Sequence, residues 1–131
     1  MIVVLDASAG IEIALVREKS AILSAVLEKA TKVITSDLYK AETGNVIWKY
    51  YIAGLLKRDE VFRRLSYCDN LIDDYVDIAE NNEEALIEGI RLNHSIYDLL
   101  YFTLARRKGA ILMTLDKKLK EIAINNGIEV V

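Results

Sequence analysis

Four acidic residues, Asp6, Glu42, Asp98 and Asp116, are spread along the chain at places where their carboxylates, brought together, could do chemistry. Asp6 follows the aliphatic run Ile2 to Leu5, and Asp116 comes two residues after ILMT. Asp98 lies in IYDLLYFTLA, a stretch apolar nearly all round a helix, where a solvated face is hard to find. A lone ionised carboxylate in such surroundings is costly unless it is paired or bound to a metal. Glu42 sits in LYKAETGNVIWKYY with Asn45 one turn on, placed to bond Glu42 or a metal-bound water.

If the four converge, like charges ~5 Å apart at an effective dielectric of ~20 repel by ~3 kcal/mol per pair. A divalent cation removes that cost. Oxygen donors without a His or Cys companion favour magnesium or manganese over zinc. Such a centre can activate water and stabilise charge on a phosphate. Each acid also has a local reading. Asp116 can cap the helix that begins at Lys117, and Asp6 can begin a turn. Asp98 can interact with a helix N-terminus, and Glu42 can be a surface glutamate.

The elements that must position these acids alternate strand and helix from end to end, the pattern of an α/β protein. Ile2 to Leu5 reads as a strand buried on both faces of a parallel sheet, and Val33 to Thr35, Ile111 to Thr114 and Ile128 to Val131 are similar short runs. The spacing predicts helices at Ala9 to Val16, Ser20 to Ala30, Leu38 to Gly54, Asp59 to Tyr67, Glu83 to Asn93, Tyr97 to Lys108 and Lys117 to Asn126. Ser36 or Asp37, Asn81 or Asn82, and Ser95 are the expected N-caps of the third, fifth and sixth, with Gly109 and Gly127 as C-caps. Cys68 to Glu80 is open between strand, loop and helix end. In open parallel sheets, ligand sites form at the carboxyl ends of strands, so Asp6 and Asp116 are expected to face each other across more than a hundred residues.

The chain has 131 residues, 53% of them hydrophobic, and no proline, which fits one domain over residues 1–131. The single Cys68 cannot close an internal disulfide, and no stretch reads as a signal peptide or a membrane span, so a cytoplasmic protein without a membrane partner is expected. The net charge of −3 argues weakly against nucleic acid, but setting aside four metal-neutralised acids brings the charges near balance.

VLDAS at a strand end, Glu42 followed by Asn45, the SIYDLLYFTLA helix and the final MTLDKKL together resemble the PIN-domain nucleases, in particular the VapC toxins of toxin–antitoxin pairs. The likeness runs in order through essentially the whole chain. It implies a three-layer α/β fold whose central, mainly parallel sheet has four or five strands, flanked by about seven helices. It also implies that Asp6, Glu42, Asp98 and Asp116 are the metal-binding and catalytic quartet of an endoribonuclease that hydrolyses single-stranded RNA with Mg2+ or Mn2+. Ser8, Asn45 and Thr114 match supporting positions, Ser8 and Thr114 with equally good local readings as cap and strand end. The family's usual partners are an antitoxin protein and a second copy in a homodimer. The proline frequent before the Glu-bearing helix is replaced here by Ser36 and Asp37.

His94, the only histidine, rules out catalysis by a histidine pair and is expected to be merely exposed. Asp73, Asp74, Asp77 and Glu80 read as a solvated loop, and Arg106, Arg107 and Lys108 as charges suited to a helix end. Lys117, Lys118 and Lys120 either contact RNA phosphates or line a solvated face. Trp48 is expected in the core, with Tyr50 and Tyr51 open between core, dimer and antitoxin surfaces. Receiver and haloacid-dehalogenase-like phosphatase readings fit badly, because no acidic pair precedes Asp6 and the second phosphatase Asp is Ser8 here. A PIN-fold nuclease of ribosomal RNA maturation and a catalytically silent metal- or RNA-binding module are the remaining alternatives.

Overall fold

The computed structural model describes residues 1–131 and forms a four-stranded, wholly parallel sheet with seven α-helices. The order along the chain is β1 (Ile2–Leu5), α1 (Ala7–Ala14), α2 (Ser20–Lys29), β2 (Lys32–Ser36), α3 (Leu38–Ile52), α4 (Arg58–Asn70), β3 (Asp74–Val76), α5 (Asn82–Leu92), α6 (Ile96–Lys108), β4 (Ile111–Met113) and α7 (Lys117–Asn125). A short 3-10 turn, Ile78–Glu80, links β3 to α5.

The strands lie in the order β3-β2-β1-β4. From β1 the chain steps one way through β2 to β3, then jumps back across the sheet to β4. Right-handed crossovers place α1 to α4 on one face and α5 and α6 on the other. The packing agrees: α1 touches α2, α3 and α4, whereas α6 lies along β1, β2 and β4. The direction of winding therefore reverses between β1 and β4, whose carboxyl ends form the crevice in which such sheets hold ligands.

Burial explains the middle of this sandwich. Val3, Val4 and Leu5 are fully enclosed, as expected of a central strand covered by helices on both faces. In α6, every residue from Leu99 to Ala105 is buried, and each large side chain such as Phe102 contributes about 1.5–3 kcal/mol by leaving water. Asn81 ties α5 to this helix: its amide nitrogen donates to the Leu100 carbonyl at 2.9 Å and to Thr103 Oγ1 at 2.8 Å. Asn81 stands at the N-cap position of α5, but its side chain makes this long-range bridge instead of capping. Ser95 and Gly109 end α6 as the sequence predicts.

Other expectations change. Ile128 to Val131 does not form a strand; Val130 makes one isolated parallel bridge to Leu112. The open stretch resolves into the end of α4, the three-residue β3 and the 3-10 turn. Asp73 and Asp77 are exposed but bonded: Asp73 Oδ2 accepts from Val33 N at 2.8 Å, and Asp77 Oδ1 from Ala79 N at 3.0 Å. Trp48 is 54% exposed, so it is not part of the core. No helix is long and apolar enough to cross a membrane.

Candidate active site at the β1/β4 crevice

Asp6 is the residue that turns β1 into α1. Its backbone is extended (φ −88°, ψ 170°), its amide donates to the Met113 carbonyl of β4, and its carboxylate caps α1. Oδ1 accepts from Ser8 Oγ at 2.6 Å and from Ala9 N at 3.0 Å, while Oδ2 accepts from Thr114 Oγ1. Ser8 Oγ in turn receives Leu115 N at 2.9 Å, and Thr114 Oγ1 receives Asp116 N at 3.0 Å. Ser8 and Thr114 thus stitch the ends of β1 and β4 together around one carboxylate.

Asp6 is only 5% exposed. Burial pushes its pKa up to about 6, against the pull of the Ser8, Thr114 and Ala9 hydrogen bonds, with Glu42 adding a smaller upward push. Glu42, on the second turn of α3, is half-buried and also raised, first by burial and further by Asp98, while the hydrogen bond from Tyr101 holds it down. Its bond is the one from Tyr101 Oη to Oε1 at 2.6 Å; Asn45 is exposed and does not bond Glu42. A depression of about 220 Å³ lined by Leu38, Ala41, Glu42, Asn45 and Tyr97 opens beside the acids.

Asp98 occupies the first turn of α6, before the fully buried part begins, and its side chain is 29% exposed. It is not unpaired, contrary to the sequence expectation. His94 Nε2 lies 2.8 Å from Asp98 Oδ2, and the His94 side chain is itself only 9% exposed rather than free in solvent. The chain reverses at Asn93 (φ 50°), which folds His94 back onto the start of α6. Tyr101 and His94 are the site neighbours that the sequence reading missed. For His94 a signal existed, the four-residue spacing to Asp98.

Asp116 is exposed and N-caps α7, with Oδ1 accepting from Leu119 N at 2.9 Å. Asp116 therefore caps a helix as its local reading held, and Asp6, read locally as the start of a turn, caps α1; both lie at the crevice. Lys117 and Lys118 follow on its exposed rim. Asp6 feels the charge of Glu42, and Glu42 that of Asp98, while Asp116 is linked to Asp6 by its backbone amide through Thr114.

No three His, Cys, Asp or Glu side chains form a ready-made metal cage. The donor set is all oxygen, and buried carboxylates pushed up in pKa are groups that a cation would stabilise. The residues therefore fit a hard divalent ion.

The parallel sheet and its flanking helices are shared with known proteins. The chain matches the PIN domain family over residues 3–125 and belongs to it. Among its relatives, Ribonuclease VapC3 of Pyrobaculum aerophilum is 29% identical over 126 residues, covering 92% of this chain and 94% of the relative. The fold is similar to that of PAE2754 from Pyrobaculum aerophilum (TM-score 0.75, 22% identity, 98% of this chain and 83% of the other). It is also similar to VapC20 of Mycobacterium tuberculosis, a toxin that cleaves the sarcin–ricin loop (TM-score 0.70, 14% identity, 92% and 94%). A third likeness is to VapBC2 from Rickettsia felis bound to a promoter DNA fragment (TM-score 0.65, 19% identity, 100% and 98%).

Proposed function

We propose that this protein is an endoribonuclease that hydrolyses phosphodiester bonds of single-stranded RNA with Mg2+ or Mn2+, and that it is the toxin of a VapBC-type pair. The observation carrying this reading is the desolvated Asp6 at the β1/β4 crevice, within electrostatic reach of Glu42, which in turn feels Asp98. The named function of the ribonuclease relative points the same way.

In this reading Asp6, Glu42, Asp98 and Asp116 hold the metal and are the catalytic residues. When bound, the ion supplies a lowered water pKa and a positive field for the phosphate. Ser8 and Thr114 hold the Asp6 carboxylate in one orientation, and His94 does the same for Asp98. Asn45 lines the adjoining depression, where it meets the RNA strand rather than Glu42. Lys117 and Lys118 face the phosphates from the rim. The ring of Tyr97, 59% exposed beside Asp98, offers a flat apolar surface for a base.

The partners belong to the same proposal. Trp48, Tyr51, Ile52, Leu55 and Phe62 leave apolar surface exposed on and between α3 and α4, as a homodimer interface requires. The antitoxin engages the acidic crevice with basic side chains, and the setting is the cytoplasm, where the RNA is.

The decisive experiment is cleavage of a single-stranded RNA oligonucleotide with Mn2+ or Mg2+, with and without chelator, comparing wild type with Asp98→Asn. Cleavage by the wild type alone, abolished by chelator, is expected. A folded wild type that cuts nothing, or a variant that cuts equally well, sinks the proposal. Light scattering of the purified protein tests the homodimer, and an adjacent gene for a small DNA-binding protein separates toxin from RNA-maturation enzyme.

A further inference from the structure

Each of three acids at the crevice is oriented from close by in the chain. Asp6 has Ser8 and Ala9, Asp98 has His94, and Asp116 has Leu119 N. Glu42 does not. Its hydrogen bond comes from Tyr101, 59 positions away on α6, and Oε2 accepts none from the chain. Glutamate is also the longest of these side chains, with the most rotamer freedom to lose on ordering.

The phenol is built for this contact. Tyr101 is 1% exposed within the core, so the ring is fixed by packing on all sides. Its hydroxyl reaches out of that packing to donate to Glu42 Oε1 at 2.6 Å. Tyr101 stands three residues after Asp98, about one helical turn along α6. One helix thus carries an acid of the site and the donor that orients a second acid on α3.

We infer that Tyr101 is a positioning residue for metal binding: its hydroxyl occupies Oε1 of Glu42, so that Oε2 is the oxygen that would hold the ion. This rests on the metal-dependent reading above. A tether between α3 and α6 with no bearing on the ion is the competing role, and the two differ in what they do to metal affinity. Groups that orient a metal ligand usually change affinity or activity about 10–100-fold when removed.

The test is Tyr101→Phe, which keeps the ring and deletes one oxygen. Mn2+ binding to the RNA-free protein is followed by calorimetry, alongside urea denaturation without metal. A loss of Mn2+ affinity of about 10-fold or more is expected, with the activity deficit recovered at high Mn2+. Tyr101→Phe should add nothing to Glu42→Gln, because the two act through one oxygen. Unchanged Mn2+ affinity in a variant that is merely less stable overturns the inference and leaves the ribonuclease reading intact. A wild type that binds no Mn2+ overturns both.

Discussion

Thr114 Oγ1 donates to Asp6 Oδ2 although 108 positions separate the two residues. The bond exists because β1 and β4 are neighbours in the sheet, paired from Val3–Ile111 to Leu5–Met113. The next residue on each strand must then meet its counterpart. Thr114→Val keeps the shape but removes a donor to Asp6 and an acceptor for Asp116 N. Urea denaturation should show a loss of about 1–3 kcal/mol. RNA cleavage should fall about 10–100-fold.

The raised pKa of Asp6 makes the metal-free protein sensitive to pH with a definite sign. The unfolded carboxyl titrates near its ordinary 3.8 and the folded one at about 6, so within that window the native state holds a proton that the unfolded state has lost. Stability therefore falls as pH rises through the window, by up to about 3 kcal/mol, and stays lower above it. Asp6→Asn removes this penalty. Chemical denaturation without metal should find the variant more stable than wild type at pH 7.5, with the gap closing toward pH 4. Added Mn2+ should stabilise wild type and leave the variant unmoved.

His94 shields and orients Asp98, so His94→Ala frees that carboxylate to rotate. Cleavage should slow about 10-fold or more at limiting Mn2+. His94→Gln, which can still donate, should recover part of the rate. Equal rates in all three proteins would show the contact to be inert.

Asn81 supplies the contrasting case, since it anchors α6 through Leu100 and Thr103 and bonds none of the four acids. Asn81→Ala strands the Leu100 carbonyl and the Thr103 hydroxyl of one donor. Thermal or urea unfolding should show about 1–3 kcal/mol of destabilisation. Mn2+ affinity, measured well below the unfolding temperature, should stay within about twofold.

Sequence pattern made the long-range framework readable where an element had to be apolar on every side. The run before Asp6 and the helix after Asp98 could be nothing but central elements, and both are. β3 escaped because three half-exposed residues are too few to show a period. Trp48 was expected in the core because large aromatics usually are buried, but it projects from the outer face of α3. The apolar letters around Asp98 also overstated its isolation, since the first turn of α6 is open and His94 folds onto it. The bond from Tyr101 to Glu42 depends on where the sheet sets α3 and α6 relative to each other, which no local spacing records.

The two borders of the sheet limit how copies of the protein can assemble. At one border, β3 has three residues and carries Asp74 in an ion pair with Lys32, and short charged borders resist pairing with another chain. At the other, Glu129 to Val131 already takes up both backbone groups of Leu112. Neither border offers a long, apolar ladder for a foreign strand. Self-association by continuing the sheet is thereby disfavoured, and any lasting union between copies falls to the helical surfaces.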